Sequence, residues 1–335
     1  MNEVTEKKYL GDVINKDGNN QSNIKEGTNK AQGNVNKIVN SLHERPYGKH
    51  FYKAAKLMRE GILLNGLLTN AESWINVTKK DIEDLGKPDI ILLRKILSKS
   101  GNPSTCFMQL EFGIVPVKFV IIKKRMNFLH YILQESIDSL VNQVYMAQKE
   151  DSRRGDFVQL TCEDRKTLDI DHEDDEIRLM TKQAWKTFVK EKVKYAALTE
   201  LVEENSTKEK TKTIQFNELK MSDYLEVNLR TSLSQLIFSI RSKTLDVKEY
   251  QPWKYKNNTC VACQKYPETM NHFVTCSSYR NKPCIDWTSI YGSDSLVMTR
   301  IALVVEKRVE ERKALLEKAE DGQAGITDSR APGNC

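Results

Sequence analysis

The sequence predicts a mainly α-helical chain: a helical domain with an N-terminal β-hairpin, then a helical C-terminal region bearing a small Cys/His module. Three observations predict it. Apolar residues recur at three- and four-residue intervals through most of the chain. The breaks between these stretches fall at Gly, Pro, Ser and Asn clusters. Strand-like sequence is confined to Lys7–Ile14 (KKYLGDVI) and ends at an Asn15-Lys16-Asp17-Gly18 turn.

The first helix starts near Ser22, a suitable cap, with Ile24, Val35, Ile38, Val39 and Leu42 on one face; Gly27 and Gly33 interrupt it. A second spans 49–69. A third runs from Lys79 to Leu85, is interrupted at Gly86 and Pro88, and resumes over Ile90–Leu97. Residues 105–113 form a short helix ending at glycine. Pro116 opens a long one, Val117 to about Gln134. Residues 1–150 therefore read as one helical domain. Residues 151–181 read as an acidic linker with some helix, with eight acids between Glu163 and Glu176. A helical region follows over 182–250, the Cys/His module over 251–290, a charged helix over 291–320 and a disordered tail over 321–335.

Hydrophobic residues make up 39% and charged residues 29%, the balance of a soluble globular protein. No stretch approaches ~18 uninterrupted apolar residues, so neither a membrane span nor a membrane partner is expected. The N-terminus lacks the apolar core of a secretory signal. Seven scattered cysteines make no disulfide framework and point to a reducing, intracellular setting, cytoplasmic or nuclear. The net charge of +6 permits nucleic acid binding without requiring it. Because strand-like sequence begins almost at once, the chain is expected to be a piece of a larger protein.

The sharpest chemical signal is Cys260-Val-Ala-Cys263, with His272 and Cys276 following. Two thiolates on a CxxC turn hold a tetrahedral ion from one side, and a His and a Cys one helical turn apart close it from the other. Three sulfurs and one imidazole favour Zn²⁺, and four protein ligands leave no position for a catalytic water, so the ion would be structural. Cys284 is a possible alternate ligand. Around the module lie Trp253, Lys254, Tyr255, Lys256, Lys265, Tyr266, Phe273, Tyr279, Arg280 and Lys282. Aromatic rings beside cations suit stacking on single-stranded nucleic acid. They equally suit a cover for the small metal core, and both readings stay open. Lys118, Lys123, Lys124 and Arg125 can form a stripe suited to a phosphate backbone, or a plainly solvated face. His130 reads as a packed or capping histidine. Phosphate-binding glycine loops, nucleophile elbows and HExxH are all missing, and no small-molecule substrate is expected. Asp174-Asp175 lacks the apolar flanks of a buried polymerase hairpin, so a nuclease built on it with His172 is the weakest option.

Tyr9-Leu10-Gly11, followed by Asp17-Gly18, Ile24, Lys30 and Gly33, resembles the segment after the palm of non-LTR (LINE-type) retrotransposon reverse transcriptases. The resemblance continues through Leu57-Met58-Arg59, Leu68 to Trp74, Leu92 to Leu97 and Leu110-Glu111-Phe112-Gly113-Ile114-Val115-Pro116. It covers about 7–135 and, more loosely, about 180–280. Gly27, the Gly86-Lys87-Pro88 step and the three-residue His–Cys gap depart from the family pattern. The resemblance implies a reverse-transcriptase thumb over 1–150 and a CCHC zinc knuckle downstream. It implies binding to RNA or to a DNA primer-template through the 118–125 stripe and the knuckle. The family's catalytic aspartates lie upstream of the Tyr-Leu-Gly element and have no counterpart here, so the chain is not expected to be an enzyme by itself. The alternative is a zinc-stabilised protein-interaction module whose charged final helix meets a partner.

Overall fold

A computed structural model describes residues 6–9, 12–15, 20–44, 50–98, 101–281, 283–284 and 286–327, with side chains described outside the two strands and as far as residue 318. The described chain is mainly helical. Two four-residue strands, β1 (Glu6–Tyr9) and β2 (Asp12–Asn15), pair antiparallel with Tyr9 opposite Asp12. The single strand expected over 7–14 is therefore not formed, and so short a ladder does not support a β-hairpin as a component of the fold. The turn expected at Asn15–Gly18 falls largely outside the described residues. The helices divide between two compact units.

The first unit comprises Met1–Ile96, Thr105–Thr207 and Gln215–Met221. Helix α1 (Gln21–Glu44) buries Ile24, Ala31, Val35, Ile38 and Leu42, the apolar stripe of its sequence. Gly27 lies where a β-carbon would stand 2.8 Å from the Leu67 carbonyl oxygen, so glycine lets the backbones cross closely. Helix α2 (Phe51–Met58) passes through a π-helical turn, Arg59–Leu64, into α3 (Asn65–Leu67). At the start of that turn Arg59 donates to both oxygens of Asp89, at 2.5 and 2.7 Å, and to the Val115 carbonyl. Asp89 belongs to α4 (Lys79–Leu97), one continuous helix through Pro88 where a break was expected. Burial of Leu85, Leu92, Leu93 and Ile96, with the Arg59–Asp89 pair, outweighs the loss of Pro88's hydrogen bond.

Helix α5 (Thr105–Phe112) ends at Gly113, whose φ is +62°. A β-carbon there would lie 2.0 Å from the Lys220 carbonyl carbon and 2.2 Å from the Met221 nitrogen. Backbone conformation and packing thus both require glycine. Gly113→Ala is expected to cost more than about 2 kcal/mol, read as a lower urea midpoint at unchanged slope.

Helix α6 (Val117–Gln134) is the axis of this unit's core, and α7 (Leu140–Glu150), α8 (Phe157–Leu168), α9 (Asp174–Leu179) and α10 (Lys182–Ser206) follow. Residues 151–181 hold helix, as expected, in α8 and α9, but they are not a linker: Phe157, Val158, Leu168, Ile170 and Ile177 are buried in the core of this unit. Their acids have local tasks. Asp156 caps α8, accepting from the Gln159 N–H. Glu173 and Glu176 form a capping box on α9. Asp174 accepts from the Tyr145 hydroxyl at 2.8 Å, from Lys149 at 2.9 Å and from Arg165, a packing role.

The second unit comprises Leu97–Ser104, Lys208–Ile214 and Ser222–Cys335. It contains α11 (Asp223–Glu226), α12 (Thr231–Arg241), α13 (Met270–Thr275) and α14 (Ser295–Thr327). Of the tail expected over 321–335, residues 321–327 continue α14, and 328–335 lie outside the described residues. Ile237, Phe238, Val247, Phe273, Val274, Ile290, Ala302 and Val305 form its interior. Among the described residues no single helix is long and apolar enough to cross a membrane.

Candidate metal centre

Local backbone structure brings the four predicted ligands of the second unit together. Thr259 and Pro267 form an isolated antiparallel bridge. The Cys260 N–H donates to the Tyr266 carbonyl at 2.7 Å and the Gln264 N–H to the Cys260 carbonyl at 2.9 Å, closing the Cys-x-x-Cys turn. Thr269 then caps α13 by accepting the His272 N–H at 3.0 Å. Cys276 ends that helix one turn later, its N–H bonded to the His272 carbonyl at 2.8 Å.

The sulfurs of Cys260, Cys263 and Cys276 and a ring nitrogen of His272 all lie within 4.8 Å of one another, a group that can hold a metal ion. Cys263 Sγ is 3.3 Å from His272 Nε2. Ligands at bond lengths near 2.0–2.3 Å in a tetrahedron stand about 3.5–3.8 Å apart, so the cluster needs little adjustment to close on an ion. Cys260 and Cys276 are buried, and Cys263 and His272 are half-buried. Burial pushes the Cys260 thiol up to about 11, although the N–H groups of Cys263 and Ala262 pull it down. For Cys263 burial also raises the value, but the N–H groups of Lys265 and Tyr266 and the His272 ring outweigh it and bring the thiol to about 6. N–H groups aimed at sulfur are what a metal-bound thiolate requires. Cys284 lies outside the group, its thiol pushed up by burial.

A second layer comes from α14. Arg308 and Arg312 belong to the helix read from sequence as charged, and both are buried. Arg308 donates to the carbonyls of Phe273 (2.8 Å), Cys276 (3.1 Å) and Asn281 (2.8 Å), binding the chain on the far side of the ligand helix. Arg312 pairs with the buried Glu268, Nε and Nη2 standing 2.9 and 2.8 Å from Oε1. Glu268 also accepts the N–H groups of Lys248 at 3.1 Å and Val261 at 3.4 Å, which ties α14 to the Cys-x-x-Cys turn. A signal for this was present. Met298, Ile301, Val305, Arg308 and Arg312 follow one another at three- and four-residue steps, so the arginines continue the apolar stripe.

The residues expected to meet nucleic acid separate into two groups. Phe273 and Tyr279 are buried cover for the module. Tyr255 turns inward, its hydroxyl bonded to Asp246 at 2.6 Å and Arg312 over its ring, and Lys254 pairs with the same carboxylate at 2.5 Å. Trp253 is 77% exposed and Tyr266 62% exposed. Lys256, Lys265 and Arg280 are exposed as well.

In the first unit the expected 118–125 stripe is not a free surface. Arg125 is buried and pairs with the buried Asp164 at 2.7 Å, whose carboxyl burial pushes up to about 6 against the pull of that guanidinium. Lys118 pairs with Glu200 at 2.5 Å and Lys124 with Glu72 at 2.9 Å, while Lys123 is half-buried. The reason is that α6 is covered on more than one side: Phe119, Ile121, Ile122, Met126 and Leu129 are all buried. His130 is a packed residue, its Nε2 2.9 Å from the Met180 carbonyl and its ring stacked on Trp185. Comparison of the chain with protein-family models, with curated proteins and with solved structures finds no match.

Proposed function

We propose that the Cys260, Cys263, His272 and Cys276 group binds Zn²⁺ as a structural ion and that the module it organises binds single-stranded nucleic acid. The observation that carries this reading is the exposure of Trp253 and Tyr266 beside Lys256 and Lys265 on a module whose other aromatic residues are turned inward. Exposed rings offer stacking platforms to unpaired bases, and neighbouring cations neutralise phosphates. When bound, zinc would supply no reaction chemistry here; it would fix the ligand helix and the turn that carries Lys265 and Tyr266.

The resemblance to the C-terminal part of a LINE-type reverse transcriptase agrees with this role. It makes element RNA or a primer-template the natural ligand and an intracellular compartment the natural setting. On this reading the chain is a nucleic-acid-handling portion with no polymerase activity of its own.

The test is fluorescence anisotropy with a labelled single-stranded RNA of mixed sequence. The zinc-loaded chain is expected to bind at 50 mM salt and to weaken steeply by 200 mM. Trp253→Ala is expected to lower affinity about tenfold, within the range for loss of one stacking platform. Absence of binding at 50 mM salt sinks the proposal.

A further inference from the structure

The phosphate-facing charge that α6 fails to offer is gathered on its neighbour. Helix α10 carries Lys182, Lys186 and Lys190 at four-residue intervals, all exposed, along about 12 Å of axis. The contacts between α10 and α6 establish an antiparallel register. Trp185 Nε1 donates to the Met126 carbonyl at 3.0 Å, and Lys118 meets Glu200 near the other ends. Residue 123 of α6 thus comes beside residues 186–190 of α10.

Lys123 does face Lys190 and Lys186 there, and the opposing charge that faces it is Glu60. Burial, then Lys190, pushes its pKa down, as expected of a cation crowded by like charges. The other lysines of these helices have acids beside them: Lys118 has Glu200, Lys192 has Asp169 and Lys194 has Glu191. Lys182, moreover, occupies the first turn of α10, where the helix dipole disfavours a cation and no acid is present. Lys123, Lys186 and Lys190 face one acid, Glu60, and Lys182 extends the exposed row by one turn, so the local potential is raised and an incoming polyanion relieves it.

We propose that Lys182, Lys186 and Lys190 form a binding surface for the phosphate backbone of nucleic acid, with the half-buried Lys123 behind them adding to its positive potential. The inference rests on the nucleic-acid reading but assigns a surface in the first unit that the zinc module does not supply. Its contacts would be sequence-independent and would act by releasing counterions.

The experiment measures RNA affinity against salt for the full zinc-loaded chain, for Lys182→Gln/Lys186→Gln/Lys190→Gln, and for a control that removes equal charge from exposed lysines of α14, Lys307→Gln/Lys313→Gln/Lys318→Gln. The substituted lysines are exposed, and equal thermal midpoints verify that the variants fold. The α10 variant is expected to lose at least tenfold in affinity at moderate salt. The slope of log K against log salt should fall by about 2, three contacts at roughly 0.7 each for a single strand. The control should keep most of both. Equal behaviour of the two variants overturns the surface while leaving the zinc-module reading intact, provided Trp253→Ala still weakens binding. No RNA binding by the unsubstituted chain, or binding only to anionic phospholipid vesicles, overturns both.

Discussion

Removing the ion proposed for Cys260, Cys263, His272 and Cys276 is expected to unfold the module around it. A strong chelator, or Cys276→Ser, is expected to bring the amides of residues 257–281 to near-unprotected hydrogen exchange. A structural zinc contributes about 10–16 kcal/mol of apparent free energy in isolated finger peptides, far more than a cluster of Met270, Phe273 and Val274 supplies. The effect should reach α14, because the acceptors of Arg308 are the carbonyls of Phe273, Cys276 and Asn281. Once the ligand helix frays, a buried guanidinium loses its partners. Unchanged protection after complete removal of metal would show that the module folds on its own packing.

The second large effect is at Arg312. Arg312→Met leaves the Glu268 carboxylate buried without its cation, and the expected cost is about 3–5 kcal/mol in the unfolding transition of the second unit. Arg312→Met/Glu268→Gln should recover part of that loss, since no charge is stranded and the glutamine oxygen can still accept the Lys248 N–H, while its amide nitrogen takes the place of the oxygen that accepts from Val261. If the single and double variants are equally destabilised, Arg312 acts through packing of its stem and not through the ion pair.

The metal group was legible because its information is local. A two-residue gap between cysteines and a helical turn between His272 and Cys276 are constraints a short segment satisfies by itself. The helices of the first unit were legible where apolar periodicity was strong, as in α1, α6 and α10. What escaped is of one kind: charged residues inside an apolar stripe. Asp89 sits among Leu85, Leu92, Leu93 and Ile96, and its pairing with Arg59 keeps α4 continuous through Pro88. Arg125 sits among Ile122, Met126 and Leu129, and its pairing with Asp164 removes it from the expected basic surface. Arg308 and Arg312 extend the stripe of Met298, Ile301 and Val305. In each case the partner comes from a distant segment, so charge alone reads as solvent exposure while position in the stripe marks burial. The acidic stretch at 151–181 misled for a related reason: caps and ion pairs use acids as a linker does, and only the tertiary partners Tyr145, Lys149, Arg165 and Arg125 distinguish them.

Whether Cys260, Cys263, His272 and Cys276 hold one ion in a closed site is decided by titrating the reduced, metal-free chain with Co²⁺. The expected outcome is saturation at one equivalent, with the visible absorption of a tetrahedral three-sulfur, one-nitrogen site. Zn²⁺ should displace the signal, Cys263→Ser should abolish it and Cys284→Ser should leave it in place. A signal that survives Cys263→Ser, or none at one equivalent, would mean that these four residues do not form a closed metal site.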